Sequence, residues 1–305
     1  MNKLSTLTTE MRNQHSMAID NMTTKDILTT INNEDMTVAQ SIKQQVFPEI
    51  EKTVEVVYEQ LKRGGKLFYA GAGTSGRIGI LDAVECPPTF STSPEVVQAV
   101  MAGGIKAIEK AVEGAEDDEA LGASDLKDRD LTKLDVVIGI AASGRTPYVA
   151  GALKYAQEIG ATSVCLTNNK DSVLSNYADI RIEVVTGPEV LTGSTRMKAA
   201  TAQKMILNMI TTAAMIKIGK VYENLMVDLK VSNHKLEERA KRIVSTITEA
   251  DYKVAEQILE QTNFEVKPAI VMIKAGVSLE EAKKFIYEAD GFVRQAIELA
   301  TEGGN

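Results

Sequence analysis

Three glycine loops that carry hydroxyl groups are the segments of this sequence best suited to hold a ligand. The first loop, residues 71–77, has the sequence Gly-Ala-Gly-Thr-Ser-Gly-Arg and follows a β-prone run. Glycines let a ligand approach the backbone, and free N–H groups at the start of the next helix favour an anion. We therefore expect Gly73, Thr74 and Ser75 to contact a phosphate group.

The spacing of this loop leaves other interpretations open. Its glycines at positions 71, 73 and 76 match the G-x-G-x-x-G dinucleotide pattern. Alone, the loop therefore favours a nicotinamide cofactor about as well as a sugar phosphate. It is not a Walker A loop, because no Gly-Lys-Ser/Thr follows. A tight turn without any ligand is a further possibility, which two glycine-flanked hydroxyl groups disfavour.

Two further loops repeat this chemistry. Residues 141–147 end in a proline suited to the first position of a helix, and residues 187–198 form a hydroxyl-rich stretch before another helix. Taken alone, residues 141–147 favour an ordinary helix capped by Ser, whereas residues 187–198 fit a capped helix with a solvated basic first turn and a binding loop equally well. Ligands of open α/β sheets collect at the carboxyl ends of the strands, so several such loops together favour one phosphate site. The candidate binding residues are Ser143, Gly144, Arg145, Thr146, Glu189, Ser194 and Lys198.

Two glutamates are candidates for proton transfer. Glu85 lies in the segment Val-Glu-Cys-Pro-Pro, where apolar neighbours would raise its pKa, as a general acid requires. Glu116 lies beside Asp117 and Asp118, at a polar boundary where an ionised carboxylate is easier to hold. These neighbouring acids could instead raise the pKa of Glu116. Cys86 has no histidine partner in the sequence, so we interpret it as a small buried residue.

Composition narrows the chemistry further. The only histidines, His15 and His234, are 219 positions apart (234 − 15), so we predict no metal site. A net charge of −8 and the absence of Trp argue against a nucleic-acid partner. No apolar run approaches the roughly 20 residues that span a bilayer, so we expect no membrane partner. Two cysteines in the whole chain favour a reducing cytoplasm.

The elements that must position these residues alternate along the chain. Residues 1–63 have helical patterns, with Thr23 as a helix cap and Pro48 at a helix start. Strands are predicted at 67–69, 96–100, 136–140, 163–166 and 180–185, and helices at 76–84, 105–114, 147–159 and 196–218. This alternation predicts a parallel sheet with helices on both faces. Residues 117–133 are interpreted as a polar connection that could include a helical turn.

The last part of the chain, residues 234–300, is helical by pattern and lacks strand signals. It contains a weak repeat at an offset of 27 residues (282 − 255), which six apolar positions follow. The positions Ala255, Ile258, Leu259, Val266, Ala269 and Ile270 recur as Ala282, Phe285, Ile286, Val293, Ala296 and Ile297. A duplicated pair of helices and a chance similarity between amphipathic helices both explain this pattern.

Five segments together resemble the N-acetylmuramic acid 6-phosphate etherases, and the resemblance covers nearly the whole chain. The segments are 71–77, 82–89, 111–117, 142–148 and 191–197. Glu-Cys-Pro-Pro-Thr and Glu-Gly-Ala-Glu-Asp are the most specific motifs, whereas the glycine loops are shared more widely among sugar isomerase (SIS) domains. One departure is Val84, because the family often has Ser before the catalytic Glu.

The resemblance implies an α/β fold with a doubly wound, mostly parallel, SIS-like sheet. It implies an N-terminal helical segment over 1–56, a sugar-phosphate-binding domain over 57–220, and a helical region over 221–305 similar to ubiquitin-associated bundles. It also implies a cytoplasmic homodimer whose partner is a small sugar phosphate, with no metal or organic cofactor.

The activity implied by the resemblance is cleavage of the D-lactyl ether of N-acetylmuramate 6-phosphate. The products are N-acetylglucosamine 6-phosphate and D-lactate, formed by syn elimination across C2–C3 and hydration, in peptidoglycan recycling. Glu85 matches the acid that protonates the departing lactate, and Glu116 matches the second active-site carboxylate. The two alternatives are a sugar-phosphate sensor without catalysis and a sugar-phosphate isomerase that uses Glu189 and a histidine such as His234.

Overall fold

A computed structural model describes residues 7–110, 112–229, 231 and 234–302, and it divides into two units. The first unit contains Met1–Val84 and Pro94–Thr211, and the second contains Glu85–Ser93 and Thr212–Asn305. Each unit has its own hydrophobic core. The three-part division with boundaries at residues 56 and 220 stays a prediction.

Short helices form the N-terminal part of the first unit. Three 3₁₀ turns, Thr8–Glu10, Gln14–Ser16 and Ile19–Asn21, precede α1 (Thr24–Asp35), α2 (Thr37–Gln45) and α3 (Phe47–Lys62). The predicted cap is confirmed, because the hydroxyl of Thr23 accepts a hydrogen bond from the Asp26 N–H. Pro48 lies in the first turn of α3, as predicted.

A five-stranded parallel sheet forms the centre of the first unit, in the order β2-β1-β3-β4-β5. The strands are β1 (Leu67–Gly71), β2 (Val97–Met101), β3 (Val136–Ala141), β4 (Thr162–Thr167) and β5 (Ile180–Glu183). The five predicted strands are therefore confirmed. Every residue of β1 and β3 is buried, as expected for central strands that helices cover on both faces.

Five helices connect or follow these strands: α4 (Gly73–Phe90), α5 (Lys106–Glu109), α6 (Glu119–Lys127), α7 (Pro147–Ile159) and α8 (Lys198–Lys217). On one face of the sheet, Phe68 packs in a core with Leu126 of α6 and Tyr148 of α7. On the other face, the Tyr69 hydroxyl donates to the Asp82 carboxylate of α4 at 2.6 Å. The predicted SIS-like architecture, with helices on both faces, is confirmed.

Two predicted helices have wrong bounds, and a further helix lies in the predicted connection. Helix α4 covers residues 73–90 instead of 76–84, since it continues through Pro87 and Pro88 despite their missing N–H groups. Helix α5 is a single turn instead of residues 105–114. The Arg77 guanidinium donates to the carbonyls of Ala107 and Ile108, at 2.7 and 2.8 Å, which a longer helix would need for its own bonds. The connection 117–133 contains helix α6, which Asp118 caps.

The second unit contains a β-hairpin and five helices. The hairpin pairs β6 (Val221–Tyr222) with β7 (Leu225–Met226), and the helices are α9 (His234–Thr248), α10 (Tyr252–Gln261), α11 (Val266–Ala275), α12 (Leu279–Glu288) and α13 (Val293–Glu302). Helices α10 and α12 begin 27 residues apart (279 − 252), as do α11 and α13 (293 − 266). The repeat in the sequence therefore corresponds to two successive helix pairs.

Candidate active site

The first glycine loop leads directly into helix α4, which begins at Gly73 with a φ of +52°. Ser75 is buried, and its hydroxyl donates to Gln203 Oε1 at 2.9 Å. The Gln203 amide in turn donates to Asn168 Oδ1 at 2.9 Å. Because the Ser75 proton is used inside the protein, the exposed Gly73, the half-buried Thr74 and the first N–H groups of α4 remain for an anion.

The second loop leaves the start of helix α7 open. Gly144 has a φ of +68°, and a Cβ atom there would lie 2.3 Å from the Ser172 Cβ, so only glycine fits. Thr146 precedes the helix, but its side chain makes no capping bond. Ser143 Oγ accepts from the Arg145 N–H at 3.3 Å. The first N–H groups of α7 are therefore available to an external anion.

A cavity of about 340 Å³ lies at this loop in the first unit. Ser143 and Arg145 line it, together with Asn169, Lys170 and Asp171. Two cations and one carboxylate give this lining a net positive charge of one, which favours an anionic group. The structure therefore brings Ser143 and Arg145 together at the carboxyl end of β3, where ligands of α/β sheets bind.

The sequence analysis missed the N-terminal wall of this cavity. Leu7 and Thr8 also line it, and Asn169 Oδ1 accepts from the Thr8 N–H at 2.8 Å. The Asn169 amide donates to the Ala142 carbonyl at 2.9 Å, which links this wall to the second loop. Thr8 and Asn169 are 161 positions apart, so no local pattern could have paired them.

Glu189 in the third loop caps helix α8. The residue is 0% exposed, and its two carboxylate oxygens accept from the N–H groups of Lys198 and Ala199, at 3.0 and 2.9 Å. Burial raises the pKa of Glu189, and these two hydrogen bonds oppose the rise. The start of α8 is therefore occupied by a carboxylate of the protein, unlike the start of α7.

Lys198 also points into the protein. Its ammonium lies 2.5 Å from Glu34 Oε2, and His15 Nδ1 lies 2.6 Å from Glu34 Oε1. Burial alone would raise the pKa of Glu34, but the hydrogen bonds from His15 and Lys198 outweigh it and lower the pKa to about 2. The Lys198 side chain is only 3% exposed, so the predicted contact with an anion would require it to leave Glu34. His15 therefore has a carboxylate partner in space, which the sequence analysis did not identify.

Ser194 lies in the turn that precedes helix α8. It is half-buried, and its N–H donates to the Leu191 carbonyl at 2.9 Å. The third loop thus contains a buried carboxylate, Glu189, which caps the start of α8, and a hydroxyl group, Ser194, which lies nearer the surface. Its role in substrate binding stays a prediction.

The two candidate carboxylates belong to different units, Glu116 to the first and Glu85 to the second. Glu116 is exposed in the 3₁₀ turn Ala115–Asp117 after Gly114, which has a φ of +77°. Glu85 is exposed on α4, and its neighbour Val84 is 57% exposed. The prediction that apolar residues enclose Glu85 is therefore wrong for the part of the chain that the structure describes. Cys86 is buried, as predicted.

Among the described residues, one group of three side chains has a spacing that suits a metal ion. His234, Glu237 and Glu238 place one ligand atom each within 4.8 Å of one another at the start of α9. Lys241 already pairs with both glutamates, at 3.0 and 3.1 Å. Because this ammonium already pairs with both carboxylates, the group is better explained as a surface ion-pair network. His234 is exposed on the helix.

No helix in the described part of the chain combines the length and the apolar character needed to cross a bilayer. Three family models match the sequence. The SIS domain matches residues 119–213, and the glucokinase regulatory protein N-terminal SIS domain matches residues 49–157. The C-terminal lid domain of glucokinase regulatory protein matches residues 223–269.

Curated relatives match over nearly the whole length. The N-acetylmuramic acid 6-phosphate etherase of Bacillus subtilis is 56% identical over 97% of this chain and 97% of its own. The enzyme of the same name from Clostridioides difficile is 53% identical over 96% of both. A solved phosphoheptose isomerase from Francisella tularensis is 18% identical, with a TM-score of 0.48, and covers 64% of this chain and 98% of its own.

Proposed function

This chain belongs to the N-acetylmuramic acid 6-phosphate etherase family, and we propose that it cleaves the D-lactyl ether of N-acetylmuramate 6-phosphate. The products are N-acetylglucosamine 6-phosphate and D-lactate, so the enzyme is a carbon–oxygen lyase of amino-sugar recycling. The observation that carries this proposal is the identity of 53–56% to etherases over 96–97% of the chain.

The phosphate of the substrate binds at the start of helix α7. Ser143 and Arg145 line the cavity there, and the side chain of Thr146 leaves the first N–H groups uncapped. A helix start with free N–H groups and a neighbouring guanidinium favours a phosphate dianion. The first loop adds Thr74 and the start of α4. The start of α8 contributes less, because Glu189 already occupies it.

The reaction then needs one base and one acid. A base removes the proton from C2, the electron pair forms the C2–C3 double bond, and the lactate oxygen leaves C3 with a proton from the acid. Water next adds across the double bond, which returns a proton to C2 and a hydroxyl to C3. An alkoxide is a poor leaving group, so protonation of the departing oxygen accelerates the first step.

Glu85 is the proposed acid and Glu116 the proposed base. Both lie in the motifs most specific to the family, Glu-Cys-Pro-Pro-Thr and Glu-Gly-Ala-Glu-Asp. Both are exposed in the single chain, so substrate or a second chain must bury Glu85 if its pKa is to suit an acid. The assignment of the two roles rests on the resemblance.

A second copy of the chain is the proposed partner, in the cytoplasm. Large apolar side chains lie exposed on the N-terminal helices of the first unit and in the turn between α1 and α2, including Leu28, Met36 and Phe47, which are 61%, 65% and 50% exposed. Burial of such residues in a dimer would remove apolar area from water. The two buried free cysteines suit a reducing compartment. Light scattering of the purified chain tests the dimer.

A non-catalytic sugar-phosphate sensor is the second candidate, because two matching family models describe a regulatory protein. One experiment separates the two. The chain is incubated with N-acetylmuramate 6-phosphate, and free D-lactate is measured by mass spectrometry, with unphosphorylated N-acetylmuramate as the control. The etherase releases lactate only from the phosphorylated sugar. Binding of the sugar phosphate without lactate release would establish the sensor instead.

A further inference from the structure

A second cavity lies in the helical unit, and none of the candidate active-site residues lines it. Its volume is about 550 Å³, which is larger than that of the cavity at Ser143. Val227, Phe264 and Ile286 are among its apolar lining residues, and Asp228, Glu265, Lys267 and Lys283 are its charged ones. Apolar walls with a few polar groups are typical of small-molecule sites.

The two cations and two carboxylates of the lining balance, but the ion pairs around Asp228 do not. Lys220 and Lys267 both pair with Asp228 Oδ2, at 2.7 and 3.0 Å, and Lys283 pairs with Glu265 at 2.9 Å. Two ammonium groups thus share the Asp228 carboxylate, one from the lining residue Lys267 and one from Lys220 outside the lining, which leaves one positive charge in this cluster. The Lys267 side chain is only 11% exposed, and unbalanced charge is costly at a buried position.

Lys267 holds that excess charge at the cavity. Its ammonium donates one hydrogen bond to the Gly291 carbonyl at 3.0 Å and pairs with Asp228, so one of its three donors remains. Burial lowers the pKa of Lys267, and the charge of Lys220 adds to this effect, although Asp228 opposes it. A bound anion would use the remaining donor and balance the charge.

A hydroxyl group and strained backbone lie at the same cavity. Ser91 lines it, and the Ser91 Oγ atom is buried without a hydrogen-bond partner in the described part of the chain. A buried hydroxyl without a partner costs free energy that a ligand could recover. Three lining residues, Ser91, Asn263 and Phe264, have positive φ values of 50°, 51° and 61°. Such strain is concentrated at ligand sites.

We propose that this cavity is a second binding site, which takes a small organic anion. A carboxylate or phosphate monoester contacts Lys267 and the Ser91 hydroxyl, and a short carbon body contacts Phe264 and Ile286. The volume is too large for an inorganic ion alone, and the apolar walls favour a ligand that has carbon atoms to bury.

Titration calorimetry of the full chain tests this site. The probes are sodium D-lactate for the carboxylate and glycerol 3-phosphate for the phosphate monoester, at constant ionic strength. The test variant is Lys267→Met, which leaves Lys220 and Asp228 as a balanced pair and so should fold normally. The matched control is Lys283→Met at the rim, where the side chain is 49% exposed. Ser91→Ala is the second test variant if Lys267→Met is unstable.

If the proposal is correct, Lys267→Met lowers the affinity for at least one probe about ten- to hundredfold, as expected for loss of a charge-assisted hydrogen bond. Lys283→Met should change the same affinity less than about threefold. The carboxylate and phosphate arms identify which anion binds. Equal affinities of the wild type, Lys267→Met and Ser91→Ala for both probes would overturn the proposal, as would no binding of either probe. Lactate release from the sugar phosphate is a separate measurement, so either proposal can fail alone.

Discussion

The Glu34→Gln variant should destabilise the first unit far more than its conservative chemistry suggests. Glu34 joins His15 and Lys198, and the Lys198 side chain is only 3% exposed. The amide of Gln keeps the shape of the side chain but removes its charge. The ammonium of Lys198 is then left buried without a counterion, which is the costly way to break an ion pair.

The lowered pKa of Glu34 gives the size of the effect. A shift from 4.5 to about 2 corresponds to roughly 3 kcal/mol of folding free energy at pH 7. The carboxylate is favoured in the folded state, so this contribution is complete above pH 4.5 and is lost as the pH falls towards 2. At pH 3, about half of it should remain. Since His15 is 79% exposed, most of the effect should come from Lys198.

Urea unfolding followed by circular dichroism measures this difference, because the chain has no Trp for fluorescence. The matched control is Glu119→Gln, since Glu119 and Lys154 form a pair at 2.6 Å with both side chains at least 40% exposed. The Glu119→Gln control should lower the free energy of unfolding by less than about 1 kcal/mol. Adding Lys198→Met to Glu34→Gln should recover most of the loss. This reasoning would be refuted if Glu34→Gln and the control lowered the free energy of unfolding equally. It would also be refuted if the difference between Glu34→Gln and the wild type did not shrink at pH 3.

Three further predictions concern catalysis. Ser143→Ala should raise KM about ten- to hundredfold with little change in stability. An unchanged KM would contradict the proposal that the phosphate of the substrate binds at the start of α7. Glu85→Ala should still exchange the C2 proton with deuterated water while releasing almost no lactate, whereas Glu116→Gln should lose both activities, each loss being about 10²–10⁴-fold. If Glu85→Ala loses exchange and Glu116→Gln retains it, the two roles are reversed. If neither variant loses activity, neither residue takes part in catalysis. EDTA should leave activity intact, and a loss that one divalent metal restores would reveal a metal site.

The strands and their loops were predictable from the sequence, because their signals are local. Val136–Ala141 is a continuous apolar run, and a glycine turn and Pro147 follow it, so strand, loop and helix could each be assigned. Helix α5 could not be assigned correctly. Its length depends on the side chain of Arg77, which lies about 30 positions earlier and takes two of its carbonyls.

In the candidate site, too, some features have local sequence signals and others depend on distant residues. Ser143 and Arg145 were predictable, since a helix start after a parallel strand places them at the ligand edge of the sheet. The burial of Lys198 was not, because Glu34 lies 164 positions away in another helix. Nor could the sequence show that Glu189 caps α8, since capping usually comes from the residue directly before a helix. Contacts over such distances depend on the packing of whole elements.

Isotope labelling of the products tests the proposed etherase reaction most directly. The chain is incubated with N-acetylmuramate 6-phosphate in water enriched in oxygen-18, and both products are analysed by mass spectrometry. Elimination followed by hydration predicts one heavy oxygen in N-acetylglucosamine 6-phosphate, at C3, and none gained in D-lactate. Release of lactate that carries the heavy oxygen would mean displacement at the lactyl carbon and would contradict the mechanism. No lactate at all would contradict the activity itself.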